Sequence, residues 1–250
     1  MKLALLSDIH SNLQALQACL DHAKQQGADR YALLGDLVGY GGDPAPVVDR
    51  IIQLAREGAV VIQGNHDEMA LNPPVKKNHL GEATADWTHS QLSVEHRQFL
   101  SGLPLTACIE SCFLVHASAD APSSWRYVDD ERSALVSLKA ATANPQIRYV
   151  FGGHVHHQTL YYKGGSGGLM AFQPTAGVAI PVTGSRQWIA TVGSVGQPRD
   201  GKPLAMYALF DVAQSRLTFH RVAYDHAAAA AAVRRAGLPD YFAQRLEEGR

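Results

Sequence analysis

Five short stretches of the chain concentrate side chains that can hold a metal ion: Asp8-Ile9-His10, Gly35-Asp36, Gly64-Asn65-His66-Asp67, Val115-His116 and Gly152-Gly153-His154-Val155-His156. Carboxylate, imidazole and amide oxygen suit first-row divalent metals such as manganese, iron, nickel or zinc. No cysteine stands in these stretches, which argues against a structural zinc site. Asp8 and His10 are two residues apart, so on a chain leaving a strand they can point to one side and share an ion. His154 and His156 stand in the same relation, and the two carboxylate oxygens of Asp36 can bridge two ions. Singly, each piece has an ordinary use: Asp8 as a helix cap, Asp36 as a turn residue, Gly64-Asn65 as a turn, His116 as a surface or satisfied core group. Their occurrence together, in order, overrides those separate readings.

Each stretch directly follows an apolar run. Residues 3–6 are continuously apolar, as in a strand buried on both faces. Ser11 or Asn12 can cap a following helix, with Leu13, Leu16, Leu20 and Ala23 near one face and Gly27 as its stop. Residues 31–34 predict the next strand. Asp43-Pro44 reads as an N-cap with proline at the first helical position, and Val47, Val48, Ile51, Ile52 and Ala55 supply the buried stripe. Residues 60–62 predict a third strand. This β-α-β-α-β order implies a parallel sheet with right-handed crossovers, and open α/β sheets place their sites at the carboxyl ends of such strands.

Residues 107–115 and 148–151 predict further strands, with a helix around 131–143 between them. After His157, the runs 159–162, 188–192, 204–211 and 217–223 have the spacing of antiparallel hairpins. The glycine-rich stretch 163–168 lacks the strand-to-helix setting of a phosphate loop and reads as a hairpin tip. The whole reads as one domain over 1–250. Within it, 72–102, broken by Pro73 and Pro74, is expected to be a helical cap insertion, and 226–250 a helical tail.

The spaced pattern D-x-H, G-D, G-N-H-[DE], a lone His and G-H-x-H resembles the calcineurin-like metallophosphoesterases, and it runs from Asp8 to His156. The stretch Gly193-Ser194-Val195-Gly196-Gln197-Pro198-Arg199 is similar to the G-S-V-x-x-P-R signature of the smaller bacterial members. The resemblance implies an α/β fold, a four-layer α/β/β/α sandwich of two mixed β-sheets flanked by helices. It implies two divalent metal ions, manganese first, with iron, nickel or zinc as alternatives. Asp8, His10, Asp36 and His156 would hold one, and Asp36, Asn65, His116 and His154 the other. His66 would give a proton to the leaving oxygen, with Asp67 orienting it. Ions about 3.5–4 Å apart can share a water, lower its pKa towards roughly 7 and direct the hydroxide at phosphorus. A positioned acid such as His66 adds on the order of 10²–10⁴-fold.

One departure limits the substrate. Relatives that act on phosphoproteins or dinucleoside tetraphosphates carry an arginine in G-D-x-V-[DN]-R-G. Here the run is Gly35-Asp36-Leu37-Val38-Gly39-Tyr40-Gly41-Gly42, with no arginine. Tyr40 can instead stack on a nucleobase or aryl group. Arg199 can clamp phosphate or brace its turn, and Arg126, between Trp125 and Tyr127, can form part of a substrate wall. The expected substrate is a small phosphorylated or nucleotide-type ester, cleaved by a phosphodiesterase or phosphatase activity. A non-catalytic scaffold and a DNA exonuclease are the competing readings.

Composition bounds the rest. The chain has 250 residues, 46% hydrophobic and 18% charged, enough for a sizeable core. A formal net charge of -1 offers no basic field for duplex nucleic acid. The three cysteines, Cys19, Cys108 and Cys112, form no CxxC pair and are expected to be small buried residues in a reducing compartment. The first apolar run is too short for a membrane span or signal peptide, so the expectation is a cytoplasmic protein with no membrane contact. Outside the pattern, His157 is expected to be exposed or to back a ligand, and Ser118 to be a loop hydroxyl. His22, His79, His89, His96, His220 and His226 are expected to be solvated.

Overall fold

The computed structural model describes residues 1–76, 80–164 and 168–250. In chain order the elements are β1 (Lys2–Leu6), α1 (Leu13–Gln25), β2 (Arg30–Leu34), α2 (Pro44–Arg56), β3 (Val60–Ile62) and α3 (Asn65–Leu71). A 3₁₀ turn (Leu80–Thr84) leads to α4 (Ala85–Gln91), α5 (Val94–Ser101), β4 (Thr106–Ile109), β5 (Cys112–Val115) and α6 (Glu131–Ala141). The second half holds β6 (Tyr149–Gly152), β7 (Gln158–Lys163), β8 (Leu169–Phe172), β9 (Ala179–Pro181), β10 (Trp188–Val192), β11 (Leu204–Asp211) and β12 (Arg216–Ala223). Two helices, α7 (His226–Arg235) and α8 (Asp240–Glu248), close the chain.

The strands form two six-stranded mixed sheets, ordered β3-β2-β1-β11-β12-β9 and β4-β5-β6-β10-β7-β8. In the first, β1, β2 and β3 run parallel and β11 returns antiparallel to β1. In the second, β5, β6 and β10 run parallel.

Alternation along the central strands builds the layers. Leu3 and Leu5 of β1, Ala32 and Leu34 of β2 and Phe210 of β11 face the space between the sheets, where they meet Leu114, Tyr149, Phe151, Leu160 and Trp188. The alternate residues Ala4, Leu6 and Leu33 face outward onto Leu16, Cys19, Val47, Val48 and Ile51 of α1 and α2. On the far side, Val150 and Ile189 pack on Ala134 and Leu138 of α6. The result is the expected four-layer α/β/β/α sandwich. Strands so placed are buried on both faces, which is why they read as unbroken apolar runs.

Helix ends follow local chemistry. Asn12 caps α1 by accepting from Ala15 N at 3.0 Å, and its amide donates to Gly196 O at 2.9 Å. Pro44, behind Asp43, opens α2, where a missing N–H costs nothing.

Several expectations are corrected. The run 107–115 is two strands joined at Glu110, whose φ of 51° is left-handed. β8 and β9 are short edge strands with mostly exposed residues that the sequence reading did not predict, although β8 is the apolar run Leu169–Phe172. Cys108 is exposed, because its side of edge strand β4 faces away from the core. His96 and His220 are buried, not solvated: His96 Nε2 meets Asp49 Oδ1 at 2.8 Å, and the His220 ring stacks on Tyr207 at 4.8 Å. His22 shares a hydrogen bond with the Tyr207 hydroxyl at 2.8 Å. His79 and the centre of the 163–168 tip lie outside the described residues. Helices α4 and α5, from the expected cap, pack on α2 and α3. Among the described residues, no helix is long and apolar enough to cross a membrane.

Candidate metal centre

The five stretches leave the carboxyl ends of β1, β2, β3, β5 and β6 and converge on one rim between the two sheets. The backbone there is unusual. Asp8, His10, Asp36, His154 and His156 all have left-handed φ, between 49° and 68°. Such a conformation costs a non-glycine residue on the order of 1–3 kcal/mol and persists only where its surroundings impose it. The shared direction of Asp8 and His10 therefore comes from tight left-handed turns. It does not come from extended alternation, as the spacing alone suggested.

Hydrogen bonds between loops impose these turns. Asp8 N donates to Gly35 O at 3.0 Å and His10 N to Asp36 O at 3.0 Å, which laces the loop after β1 to the loop after β2. From the other side, the loop after β10 grips the Asp8 carbonyl: Gly196 N donates to it at 2.9 Å and Ser194 Oγ at 2.8 Å. Two glycines permit the close approach. A Cβ on Gly153 would lie 1.9 Å from Ser7 Oγ and 2.2 Å from Asp8 Oδ2, and one on Gly64 would lie 2.2 Å from Asp36 N.

The side chains form three overlapping donor groups around Asp36, one of them His10, Asp36 and His66. Donor atoms of Asp8, His10 and His156 lie within 4.8 Å of one another, as do those of Asp36, His116 and His154. Asp36 Oδ2 stands 3.7 Å from His10 Nε2 and 3.3 Å from His116 Nε2, between the groups. Asn65 Oδ1 is 3.2 Å from His116 Nε2. All of these are buried except Asn65, which is half-buried.

The tautomers follow from the hydrogen bonds. Nδ1 of His10, His116 and His156 faces a backbone carbonyl, of Val38 at 3.3 Å, Leu34 at 2.7 Å and Gln197 at 2.6 Å. A proton on each Nδ1 leaves the Nε2 lone pair pointing into the site. His154 is reversed: its Nε2 faces Trp125 O at 2.9 Å, which leaves Nδ1 as the free donor. His10 Nε2 and His156 Nε2 then face each other at 3.0 Å, with Asp8 Oδ1 3.2 Å from the latter. With both protons on Nδ1, two lone pairs and a carboxylate converge on one point and offer a cation three donors. This donor set fits divalent metal.

Charge states agree with ligation. Burial pushes the His10, His66 and His156 pKa values down, and that of His154 to about 4, which favours the unprotonated form that a metal would need at His10, His154 and His156. Burial would raise Asp8 and Asp36, but the imidazoles beside them, His156 and His116 foremost, hold both below the carboxylate range. His116 goes the other way, to about 9, because the Asp36 carboxylate outweighs its burial; a metal at its Nε2 would have to displace a proton. Burial and Asp36 push Asp67 up to about 7.

A cavity of about 410 Å³ opens beside the centre, lined by Tyr40, Asn65, His66, Glu68, Met69, Glu82, Trp125, Tyr127 and His154. His66 is anchored by its backbone N–H, which donates to Asp36 Oδ1 at 2.8 Å, and its ring packs on Tyr40 at 4.3 Å. Asp67 does not hold the His66 ring as expected. Its carboxylate accepts from Leu37 N at 2.8 Å, Val38 N at 3.2 Å and Gly64 N at 2.8 Å, and so splices the loops that carry Asp36 and His66.

Of the three expected substrate contacts, only Tyr40 lines this cavity. Arg126 pairs with Asp120 at 2.6 Å in a neighbouring cavity of about 240 Å³. Arg199 donates to Gln197 Oε1 at 3.0 Å and so braces its own turn. Trp125 and Tyr127, which flank Arg126, do line the cavity, as do Glu68, Met69 and Glu82, which sequence reading missed. Glu68 sits one residue past the Gly64-Asn65-His66-Asp67 stretch, and that proximity was the available signal. His157 is exposed and Ser118 bonds the Asp120 carboxylate.

A two-sheet sandwich with a buried Asp-His centre at its rim is the architecture of a metal-dependent phosphoesterase. The chain belongs to the calcineurin-like phosphoesterase superfamily, whose domain matches residues 1–215. Its structure is similar to that of a metallophosphoesterase from Sphaerobacter thermophilus, with 34% identity and a TM-score of 0.88 over 100% of this chain and 99% of that one. A hypothetical protein of Pyrococcus horikoshii shares the fold at 20% identity and a TM-score of 0.77, over 100% and 98% of the two chains. In sequence, an uncharacterised protein of Methanocaldococcus jannaschii is 31% identical over 99% of this chain and 98% of its own length. The phosphodiesterase YfcE of Escherichia coli K12 is 31% identical over 113 residues, 40% of this chain and 56% of that protein.

Proposed function

We propose that the chain hydrolyses a small phosphate ester, as a phosphodiesterase or phosphatase, at a centre of two divalent metal ions, with manganese the first candidate. The observation that carries this reading is Asp36, whose Oδ2 lies between His10 Nε2 and His116 Nε2 and so joins two separate donor groups. Asp8, His10, Asp36 and His156 would hold one ion, and Asp36, Asn65, His116 and His154 the other. Bound there, the ions would supply Lewis acidity, which lowers the pKa of water and offsets charge on phosphate.

The chain's own groups do the rest. His66 stands at the cavity wall, tied through its backbone to Asp36, and is the group placed to give a proton to the departing alcohol. Asp67 positions both loops from behind. The aromatic cavity takes the organic part of the substrate, and a nucleotide ester is one class it would accept. The similarity to YfcE, a phosphodiesterase, supports the diester half of the reading.

The test is direct. Protein stripped with a chelator and reloaded with Mn²⁺ is assayed on bis-p-nitrophenyl phosphate and p-nitrophenyl phosphate, with metal content measured per chain. Two ions per chain and metal-restored hydrolysis are expected. Asp36→Asn should lose at least about 100-fold in kcat with an unchanged circular dichroism spectrum. Wild-type rates in that variant, or a single ion in the active protein, would refute the two-ion centre.

A further inference from the structure

His10, His116, His154 and His156 each face a backbone carbonyl, but the four carbonyls are not equally secured. Those facing His10, His116 and His156 belong to Val38, Leu34 and Gln197, all buried. The N–H of Val38 donates to Asp67 Oδ1 at 3.2 Å and that of Gln197 to Ser194 Oγ at 2.8 Å, while Leu34 lies in β2. The carbonyl facing His154 Nε2 belongs to Trp125, a half-buried residue in the loop between β5 and α6.

Trp125 touches the group of Asp36, His116 and His154 twice. Its carbonyl meets His154 Nε2 at 2.9 Å, and its ring stands T-shaped against His116 at 5.9 Å. Its φ of 51° is left-handed, a conformation that a bulky residue keeps only where contacts impose it. One such contact comes from α3: the indole Nε1 donates to Glu68 Oε2 at 2.9 Å. Glu68 stands three residues beyond Asn65, so the two are neighbours on one face of that helix. Asn65 Oδ1 is itself 3.2 Å from His116 Nε2. The Glu68 bond therefore closes a ring of contacts that runs from α3 through Trp125 and the two imidazoles back to α3. Among the described residues, no other hydrogen bond joins residues 117–130 to this helix.

Resting on the two-ion reading above, we propose that Trp125 is a positioning residue for the second ion's site, that of Asp36, Asn65, His116 and His154, and that Glu68 latches it. The Trp125 carbonyl keeps the proton of His154 on Nε2, so the Nδ1 lone pair stays aimed at the donor group. Without the latch the loop is free to turn that carbonyl away. His154 then loses the partner that selects its tautomer, and the second ion is held less tightly. His10 and His156 take their direction from Val38 and Gln197, so the first ion's site does not depend on the latch.

The test measures binding, not turnover. The chelator-stripped chain is titrated with Mn²⁺ by calorimetry and equilibrium dialysis, and His154→Ala identifies which binding step belongs to the second site. Glu68→Ala and Trp125→Phe should each weaken that step by about 3–10-fold, the worth of one hydrogen bond, and leave the other step unchanged. Glu68→Gln, which drops the charge but keeps an acceptor, should bind as the wild type does. The double variant Glu68→Ala, Trp125→Phe should bind no more weakly than either single one. Wild-type affinity at that step in Glu68→Ala overturns the inference. An equal loss in Glu68→Gln overturns it by making the carboxylate's charge the cause, and additive losses in the double variant overturn it by uncoupling the two residues. The expected binding pattern in a protein that cleaves no ester leaves the latch standing and removes the phosphoesterase reading. A wild-type chain that binds a single ion removes the two-ion reading and the latch with it.

Discussion

Asp36 illustrates how a single residue is recruited from several directions. Its φ of 51° turns the carboxylate back towards the rim, its Oδ1 takes the His66 N–H, and its Oδ2 is left for the centre. His66 has the complementary design: a backbone pinned to Asp36 and a ring open to the cavity. If that ring protonates the leaving alcohol, its removal matters only where the alcohol needs a proton. His66→Ala is therefore expected to lower kcat on an alkyl phosphodiester by about 10²–10⁴-fold and to have a much smaller effect on a p-nitrophenyl ester, whose leaving group departs unprotonated. Equal losses on both, measured side by side, would show that His66 acts otherwise. The donor residue types that converge at the candidate centre were legible from the sequence because metal chemistry accepts few donors. The cavity glutamates were not, because Glu68 and Glu82 look like ordinary surface acids until Trp125 and Tyr127 arrive from a distant loop.

At the scale of elements, the loop after β10 and the N-terminus of α1 act as one piece. Asn12 caps α1 through its oxygen and ties Gly196 O through its nitrogen, and Gly196 N in turn holds the Asp8 carbonyl. Asn12→Ala should cost about 1–3 kcal/mol in urea unfolding, through the lost cap and the orphaned carbonyl. Asn12→Asp keeps the cap and should cost less; an equal loss would place the effect in the tie to Gly196. β12 offers a pH probe away from the site. Burial, with a smaller contribution from His22, pushes the His220 pKa down to about 4. The folded state thus prefers neutral His220, while the unfolded chain protonates near pH 6.5. This contribution is full above about pH 6.5 and is lost as the pH falls towards 4. His220→Phe should flatten that limb of the stability profile, which chemical denaturation across pH 4–7 would measure.

For the whole molecule, the candidate metal centre lies at the seam between the two sheets. One donor group draws on β1 and the strand β6 of the opposite sheet, another on β2, β5 and β6. Ions bound there would tie the sheets together, so loading is coupled to stability. At metal concentrations about 100-fold above Kd the gain per ion is about 2.7 kcal/mol. Manganese should therefore raise Tm by several degrees over chelator-treated protein, and Asp36→Asn should lose most of that rise. A Tm indifferent to chelation would count against ions held between the sheets.

Local physics made much of this molecule readable in one dimension. Apolar runs marked β1, β2 and β3 because strands buried on both faces tolerate no polar break, and Asn12 and Pro44 marked helix starts because N-termini leave unpaired amides. Donor chemistry marked Asp8, His10, Asp36, His116, His154 and His156 for the same kind of reason: few side chains can do that work. The edge strands β8 and β9 stayed hidden: each is only three or four residues long, and pairing with β7 and β12 defines them. Tertiary structure alone decided that Arg126 turns to Asp120, that Arg199 braces Gln197, and that Asp67 splices loops instead of steering a ring. Each of those roles depends on which partner lies within hydrogen-bond reach, and reach is set by packing among residues far apart along the chain.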